Sequence, residues 1–365
     1  MKIIFLLESI SQPRCIKRIN SFRDQGFEVS VYGIDRNKYN INTNSYDLDI
    51  NIIGNYKDNE GYIYKLLNNF FKIRKIVKNN KDNKVLYYSF GYMLTFILLL
   101  NKVNFYVYEM SDIIYGRKRI KWVRWFFKFI DKRMINNSVL TVMTSEGFYN
   151  YFFNDIEANN IIIQKNKLDI SFSEIDRDDI NTTIHAENLI FSYVGAFRYP
   201  NTIFRFARII GEKYPHHSFH FYGESHLRNE VEILEKRYNN IKYFGPFKNP
   251  DDLSGIYDNI DIVVACYDTS GLNERIAEPN KLYESIFFKK PIIVSKNTYL
   301  EKKVKELKCG MSIDATNDQN IINFINNLNQ DKLDSVIKNI DSIKGNYTID
   351  DNSKKIMNYI NEYIH

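Results

Sequence analysis

Short apolar runs alternate with amphipathic segments along most of the chain. Apolar runs of strand length fit buried parallel strands, and segments in which apolar residues recur every three or four positions fit helices. In the first half, strands are predicted at residues 2–7, 27–32, 85–88, 105–108, 139–143 and 161–163, and helices at 13–24, at 62–79 and between the later strands. This alternation favours a doubly wound parallel sheet covered by helices on both faces.

The alternation stops at residues 165–188, which are rich in Asp, Asn, Ser and Thr, and then begins again. We interpret this stretch as a linker between domains, although a long surface loop within one domain would have the same composition. The second series predicts strands at 189–194, 218–222, 241–244, 262–266 and 291–294, and helices at 202–213, 227–237, 251–257 and 281–288. Two Rossmann-like α/β domains in tandem are therefore expected.

The predicted domains are residues 1–170 and 171–345, followed by a C-terminal segment, 346–365. A helix is predicted in that segment at 353–364. Its apolar residues share one face: Ile356, Met357, Ile360 and Tyr363. Because an apolar face needs a surface to cover it, we expect this helix to cross back and pack on the first domain.

The composition is that of an ordinary globular protein. A chain of 365 residues is long enough for about two domains, and 44% hydrophobic and 26% charged residues exclude collagen-like, low-complexity and largely disordered chains. Cys15, Cys266 and Cys309 lie far apart, which argues against a disulfide framework and suits a reducing compartment. The apolar run after Met1 ends at Glu8, too early for the core of a signal peptide. A cytoplasmic protein is expected.

Positive charge is concentrated in the first half. Residues 1–170 contain 26 Lys and Arg against 16 Asp and Glu, whereas residues 171–365 contain 24 against 28. Residues 117–133 combine cations with both tryptophans, which suits an anionic membrane surface; a core helix with a solvated basic face would give the same pattern. No nucleic-acid-binding motif accompanies this cluster. The apolar stretch 85–100 is shorter than the ~20 residues of a membrane span and fits strand, turn and buried helix better than a membrane hairpin.

Several familiar site motifs are absent from the sequence. It has no G-x-G-x-x-G after a strand and no G-x-x-x-x-G-K-[ST], so neither a dinucleotide oxidoreductase nor a P-loop nucleotidase is expected. All six histidines follow residue 184, and none has a metal-ligand spacing, which argues against a zinc enzyme. Acid and base chemistry in the first domain would therefore depend on carboxylates.

Three predicted strands of the second domain run into glycine. Arg198 follows Gly195 by three residues; a glycine there lets backbone amides approach an anion, and the arginine can bind a phosphate. Gly223 and Gly245 end two further strands, and in a parallel sheet the three turns would share one edge and form a ligand crevice. A strand, a glycine turn and a helix are also a generic arrangement.

The helix predicted from Pro279 has Lys281 and Glu284 on one face. A cation and a carboxylate at a helix N-terminus suit a ligand with both phosphates and hydroxyls, such as a nucleoside diphosphate with its ribose. The alternative is a simple ion pair on a solvated helix face.

The run from Glu278 to Val294, taken with the loop at Gly195, resembles the nucleotide-sugar half of GT-B fold glycosyltransferases, particularly family 4-like enzymes of bacterial capsule and O-antigen synthesis. The resemblance covers residues 189–312. In the first domain it is loose and limited to three short segments, residues 12–14, 108–112 and 144–148.

The resemblance implies a donor site formed by Gly195, Arg198, Gly223, Gly245, Asn280, Lys281 and Glu284. Glu284 would bind the donor ribose, and Arg198 and Lys281 would bind the diphosphate. The Gly195 turn would lend backbone donors, and the other two glycine loops would surround the base. No cofactor is expected, because the nucleotide sugar is itself the substrate. No bound metal is expected either, because Arg198, Lys281 and helix dipoles would stabilise the departing charge.

The chain departs from the family pattern at two places. Many retaining members have a second glutamate eight residues before the one that binds ribose, and here that residue is Ile276, flanked by Glu274 and Glu278. They also often use a histidine in the first domain, which has none here. Retention and inversion at the anomeric carbon therefore both stay open.

A catalytic base for inversion would come from a strand-end loop of the first domain, where Glu8, Glu109 and Asp112 are the candidates. Each of the three would equally serve as a helix cap or an ion-pair partner. The resemblance implies transfer of a sugar to an acceptor hydroxyl, in a cleft between the domains. The basic aromatic segment suits a lipid-linked oligosaccharide acceptor at the membrane. A nucleotide-sugar 2-epimerase and a non-enzymatic two-domain binding protein are the alternatives.

Overall fold

The computed structural model describes residues 1–10, 12–36, 48–56, 60–81, 84–116, 120–154, 158–180 and 182–364. The chain forms two compact units: unit 1 consists of Met1–Lys165 and Asp351–His365, and unit 2 consists of Asn166–Asp350. Each unit is built around a parallel sheet flanked by helices. The predicted fold class, two tandem Rossmann-like α/β domains, is confirmed.

Unit 1 contains a seven-stranded parallel sheet in the order β3-β2-β1-β4-β5-β6-β7. Its strands are β1 (Lys2–Leu7), β2 (Glu28–Asp35), β3 (Ile50–Asn55), β4 (Val85–Phe90), β5 (Tyr106–Met110), β6 (Leu140–Met143) and β7 (Ile161–Ile163). The strand order changes direction between β1 and β4. In open α/β sheets the carboxyl ends of the strands at such a switch point form a ligand crevice.

The helices that connect these strands are α1 (Pro13–Asp24), α2 (Tyr62–Asn79), α3 (Tyr92–Leu100), α4 (Lys121–Asn137) and α5 (Glu146–Phe153). Helix α1 connects β1 to β2 and so leads towards the β3 edge of the sheet, whereas the connections through α2 to α5 lead towards the β7 edge. Because parallel crossovers are right-handed, α1 covers one face of the sheet and α2 to α5 cover the other. On that second face α3 packs against both α2 and α4. In the described part of the chain, no helix combines the length and apolar character that a membrane span requires.

Unit 2 contains a six-stranded parallel sheet in the order β10-β9-β8-β11-β12-β13. Its strands are β8 (Ile190–Val194), β9 (Ser218–Tyr222), β10 (Ile241–Gly245), β11 (Ile262–Ala265), β12 (Ile292–Ser295) and β13 (Gly310–Ile313). Its helices are α6 (Arg205–Lys213), α7 (Arg228–Arg237), α8 (Leu253–Asp258), α9 (Leu272–Ile276), α10 (Asn280–Phe287), α11 (Tyr299–Leu307), α12 (Asp318–Asn326) and α13 (Gln330–Asp341). The switch point of this sheet lies between β8 and β11.

The stretch interpreted as a linker packs within unit 2. Leu168 pairs with Ile349 in a short parallel bridge, and Phe172 is buried in the unit 2 core. Arg177 donates hydrogen bonds to three backbone carbonyls of unit 2. Unit 2 therefore begins at Asn166, ahead of the boundary predicted after residue 170, because a few apolar side chains anchor an otherwise polar segment.

The last helix, α14 (Lys354–Ile364), belongs to unit 1. Ile356, Met357 and Ile360 are buried in the unit 1 core that α1 also covers. Just before the helix, Ser353 accepts a hydrogen bond from Arg18 of α1. Three residues of the predicted apolar face therefore pack, whereas the fourth, Tyr363, is 56% exposed.

Candidate functional site

Three glycines lie side by side at the carboxyl edge of the unit 2 sheet. Gly195, Gly223 and Gly245 end the neighbouring strands β8, β9 and β10, and all three have positive φ, at 128°, 134° and 79°. The N–H of Gly223 donates to the carbonyl of Gly245, with 2.7 Å between nitrogen and oxygen. A Cβ atom at Gly223 would collide with the carbonyl oxygen of Gly195. Only glycine allows these turns to pack so closely.

The structure corrects the expected role of Gly195. Its own N–H donates to the carbonyl of Tyr222 at 2.7 Å, so it has no donor left for a ligand. The following three amides, of Ala196, Phe197 and Arg198, donate to none of the residues that the structure describes. Backbone donors for an anion are therefore present in this loop, one to three residues beyond the predicted position.

Lys281 reaches from α10 to this glycine loop. A Cβ atom at Gly195 would lie 2.9 Å from Lys281 Nζ, which also lies 4.7 Å from the ring centroid of Tyr193 and 5.9 Å from that of Tyr267. Burial lowers the pKa of Lys281 to about 8; the Glu284 carboxylate opposes this shift and the Arg198 guanidinium adds to it. Two cations therefore converge beside the amides of the loop.

Glu284 is buried on the same face of α10 as Lys281. The hydroxyl of Tyr257 donates to Glu284 Oε2 at 2.8 Å. Burial raises the pKa of Glu284, while the nearby Lys281 ammonium and the Tyr257 hydrogen bond lower it. Within the described residues, Lys281 and Glu284 form no ion pair within 4 Å. The simple ion pair that the sequence left as an alternative is not formed.

The start of α10 adds further donors. Asn280 is the first residue of the helix and is exposed, and Pro279, at the N-cap position, provides no side-chain hydrogen bond to the first turn. The first N–H groups of a helix carry a partial positive charge and are suited to anions. This helix terminus, Lys281 and the loop amides together form one region whose donors and positive charge suit an anion.

Arg198 is exposed on the loop after β8 and forms no hydrogen bond or ion pair with a described residue. Its charge acts on Lys281 and on the nearby hydroxyls of Tyr193 and Tyr267. A guanidinium that no carboxylate neutralises is a strong partner for a phosphate group.

The carboxylates that flank Ile276 are both buried. Glu278 accepts a hydrogen bond from Tyr283, and the carboxylate of Glu274 lies against Gly271, where a Cβ atom would collide with it. Neither occupies the position of the family's second glutamate.

In unit 1, Glu8 lies at the carboxyl end of β1, at the switch point of the sheet. Its Oε1 accepts the N–H of Met93 at 2.6 Å, in the first turn of α3, and a Cβ atom at Gly91 would collide with its carboxyl group. Burial raises the pKa of Glu8, and the charge of Asp112 adds to the shift; Arg36 and the helix amides oppose it. Glu8 is therefore a helix cap and also a carboxylate with an increased affinity for protons.

The other two candidate bases have different surroundings. Glu109 is fully buried, with Arg14 Nε at 3.1 Å and Arg18 Nε at 3.2 Å, and it accepts a further hydrogen bond from the hydroxyl of Tyr88. These contacts correspond to the ion-pair role that the sequence left open, and they leave Glu109 with no surface exposed to solvent. Asp112 is exposed, two residues after β5.

Sequence reasoning missed the aromatic residues around Lys281 and Glu284. Tyr257 holds Glu284 from α8, and Tyr193 and Tyr267 flank the Lys281 ammonium. A signal existed for two of them, since Tyr193 lies next to the end of β8 and Tyr267 follows β11, both at the carboxyl edge. Nothing in the local pattern distinguishes Tyr257 from a core residue.

Comparison with known proteins shows the fold. No protein-family model matches the sequence, and no curated protein matches it significantly. Among solved structures, Anabaena HepE in complex with UDP has a TM-score of 0.70 at 15% identity, over 99% of this chain and 100% of that one. The UDP-GlcNAc 2-epimerase of Neisseria meningitidis bound to UDP-GlcNAc has a TM-score of 0.67 at 14% identity, over 99% and 100%. The lipopolysaccharide outer core galactosyltransferase WaaB has a TM-score of 0.61 at 13% identity, over 99% of each chain. The GT-B fold expected from the sequence is confirmed.

Proposed function

We propose that the protein is a glycosyltransferase that moves a sugar from a nucleotide-sugar donor to a hydroxyl group of an acceptor. The observation that carries the proposal is the convergence of Lys281, Arg198 and three unused loop amides beside the start of α10, with Glu284 one helical turn away. This set matches a diphosphate joined to a ribose. Several proteins of the same fold bind UDP or UDP-sugars, as their names state.

In the proposed donor complex, the guanidinium of Arg198 and the ammonium of Lys281 bind the diphosphate, together with the amides of residues 196–198. Glu284 Oε1, which accepts no hydrogen bond from a described residue, binds a ribose hydroxyl, and Asn280 lies at the same helix start. The loops at Gly223 and Gly245 surround the base.

The proposed reaction exchanges one bond at the anomeric carbon. The bond between this carbon and the diphosphate oxygen breaks, an acceptor oxygen bonds to the carbon, and the acceptor hydroxyl proton leaves. The two cations and the helix terminus stabilise the charge on the departing diphosphate, and no metal is required for this. In the inverting form of the reaction, Glu8 takes the proton, since its raised pKa suits a general base.

We propose further that the acceptor is lipid-linked, in the synthesis of a cell-surface polysaccharide such as a capsule or O-antigen, by a family 4-like enzyme on the cytoplasmic face of the membrane. The predicted membrane segment, residues 117–133, includes 117–119, which lie outside the described residues. The rest of it exposes Trp122 and Trp125 among cations of α4. Exposed tryptophans among cations suit an anionic bilayer surface.

A thermal-shift screen against UDP, GDP, CDP and dTDP tests the donor site, with Glu284→Ala in parallel. We expect one nucleotide to raise the melting temperature of the wild-type protein and to leave the variant unchanged. The nucleotide sugars that carry the selected base are then incubated with and without a lipid extract. Transfer of the sugar to lipid supports the proposal.

A nucleotide-sugar 2-epimerase is the second candidate, favoured by the structural likeness to the Neisseria enzyme. Conversion of the nucleotide sugar to its 2-epimer without any acceptor would establish it in place of the transferase. Absence of any nucleotide-dependent shift would contradict both and favour a non-enzymatic binding protein.

A further inference from the structure

Two helices of unit 1 expose apolar side chains along stripes that face solvent. On α2, Ile63, Leu67 and Phe71 recur every four residues and are 55% to 72% exposed. On α4, Trp122, Trp125 and Phe129 are 51% to 70% exposed. Exposed apolar groups at helical spacing on two separate helices indicate a surface that something covers.

The two helices belong to one layer. Both pack against α3, on the face of the sheet opposite to α1. The stripes of α2 and α4 therefore flank the same central helix, whose sequence is almost entirely apolar and ends at the exposed Leu100. We call the outer face of α2, α3 and α4 the docking surface.

The docking surface is strongly basic. The cations of its helices are Lys65, Lys72, Arg74, Lys75 and Lys78 of α2, and Lys121, Arg124, Lys128, Lys132 and Arg133 of α4. The only acidic residue in the three helices is Asp131, which is buried and accepts hydrogen bonds from Tyr108 and Tyr115. None of these three helices thus exposes a carboxylate. A second copy of the same surface would be repelled, whereas an anionic partner would be attracted.

Both helices have the same polarity. Each follows a parallel strand, so α2 and α4 begin at the carboxyl edge of the sheet, the edge that holds Glu8. The exposed apolar residues extend from the first turn of each helix to its middle, at Phe71 in α2 and Phe129 in α4. The exposed cations Arg74, Lys75 and Lys78 of α2, and Lys132 and Arg133 of α4, lie in the second half.

From this arrangement we infer that α2 and α4 together dock unit 1 on an anionic lipid bilayer, with the carboxyl edge of the unit 1 sheet turned towards the lipid. Apolar and aromatic side chains from the start to the middle of each helix enter the interface, and the cations that follow them bind lipid phosphates. The inference extends the membrane contact of the proposed function, which involves α4 alone, to a second helix and a fixed orientation.

Intrinsic fluorescence provides a direct probe, because Trp122 and Trp125 are the only tryptophans of the chain. The full-length protein is titrated with large unilamellar vesicles of phosphatidylcholine, alone or with 30% phosphatidylglycerol. We expect a blue shift of the emission with the anionic vesicles, weakened by salt. Absence of any shift and of co-sedimentation with these vesicles would overturn both the inference and the proposed membrane contact.

The role of α2 is tested separately with the triple variant Ile63→Ser, Leu67→Ser, Phe71→Ser. We expect at least tenfold weaker binding to the anionic vesicles, since three apolar groups no longer enter the interface. The matched control is Ile233→Ser on α7 of unit 2, a position that is also exposed and apolar. The double variant Trp122→Ser, Trp125→Ser is measured by co-sedimentation. If it loses binding while the α2 variant binds like the wild-type protein, the inference is overturned and only the α4 contact stands.

The contribution of the cations on α4 is tested with the double variant Lys132→Gln, Arg133→Gln. Each cation near an anionic surface contributes about a fivefold factor in affinity, so we expect a loss of roughly 25-fold. Lys128 is left intact because its ammonium donates to the carbonyl of Tyr151 and stabilises the fold. An unchanged affinity would argue against lipid phosphates and for an apolar protein partner.

The orientation of unit 1 on the bilayer is tested with a fluorescent label on a single introduced cysteine. The three native cysteines are buried, so a polarity-sensitive fluorophore reacts selectively with Ile63→Cys or with Lys78→Cys. The label at residue 63 is expected to move into a more apolar environment on vesicle binding than the label at residue 78. The reverse order would overturn the proposed orientation. The rise in melting temperature on addition of nucleotide, which depends on unit 2, is measured in every variant. A variant that loses vesicle binding but keeps this rise shows that the donor site is intact.

Discussion

The Lys281 ammonium occupies the space that a side chain at Gly195 would need. A Cβ atom there would lie 2.9 Å from Lys281 Nζ, and the φ angle of Gly195, 128°, already disfavours any other residue. The two residues are 86 positions apart in the sequence, and their contact joins the glycine loop to α10. The proposed donor site depends on this contact.

Gly195→Ala should therefore weaken nucleotide binding. The added methyl group displaces the ammonium and strains the turn, at a cost of about 1–3 kcal/mol in the free energy of unfolding. We expect at least a tenfold loss of affinity for the nucleotide selected by the thermal-shift screen, measured by calorimetric titration. Gly255→Ala on α8 is the control, since nothing lies near its Cβ position and its φ is not positive. Wild-type affinity of Gly195→Ala would contradict the assigned contact.

The affinity for nucleoside diphosphate should fall as the pH rises above neutrality. Burial lowers the pKa of Lys281 to about 8, so its positive charge is lost on passing through this value. If only the charged form binds, affinity at pH 9 is about tenfold lower than at pH 7. The terminal phosphate, with a second pKa of about 6, is already about nine-tenths ionised at pH 7, so its own charge changes little in this range.

Lys281→Met should bind weakly and with no such pH dependence, whereas Lys281→Arg should keep its affinity at pH 9. The free wild-type protein should also gain stability between pH 8 and about 10, because the unfolded chain there binds more protons than the folded one. A pH-independent affinity of the wild-type protein would show that Lys281 does not contact the phosphates.

Removal of the Tyr257 hydroxyl should reduce both stability and nucleotide affinity. Tyr257→Phe takes away a hydrogen bond of 2.8 Å from the buried carboxylate of Glu284. An unsatisfied buried acceptor costs about 1–3 kcal/mol, to be measured by urea unfolding. Because this hydrogen bond lowers the pKa of Glu284, its loss raises that pKa further and favours the neutral form, which binds ribose hydroxyls less strongly.

Tyr238→Phe is the matched control, since its hydroxyl donates to Glu212 at an exposed site. We expect a change below about 1 kcal/mol there. Equal effects of the two substitutions would contradict a special role for Tyr257.

The alternation of apolar runs and amphipathic segments was sufficient to predict two parallel α/β sheets, because buried parallel strands are nearly continuous in hydrophobicity. The prediction missed β3, an edge strand in which asparagine and glycine interrupt the apolar run. It also placed a linker where Leu168 and Phe172 pack in unit 2, since two apolar side chains are not a recognisable pattern.

Helix α10 could be predicted from its local motif, but the residues that contact Lys281 and Glu284 could not. Tyr257 reaches Glu284 from another helix, α8. The N–H of Gly195 already donates to the carbonyl of Tyr222 at the end of the neighbouring strand β9. Likewise, the ion pairs of Glu109 come from α1, about 90 positions earlier in the chain. Pairings between distant segments follow from the tertiary fold, and single-sequence patterns carry no information on them.

Glu8 and Glu109 of unit 1 should respond differently to the loss of their charge. Glu8→Gln keeps an oxygen that can accept the Met93 amide, so we expect a nearly unchanged melting temperature and unchanged nucleotide binding. If Glu8 is the general base, release of nucleoside diphosphate in the presence of acceptor should fall by about 10²- to 10⁴-fold. Asp112→Asn, beside it, should have a smaller effect.

Glu109→Gln should behave in the opposite way. It leaves Arg14 and Arg18 without their buried counter-charge, which costs about 3–5 kcal/mol of stability in urea unfolding, and the fraction that stays folded should keep its specific activity. A stable but inactive Glu109→Gln protein, together with a fully active Glu8→Gln protein, would reverse these assignments and make Glu109 the residue that contacts the acceptor.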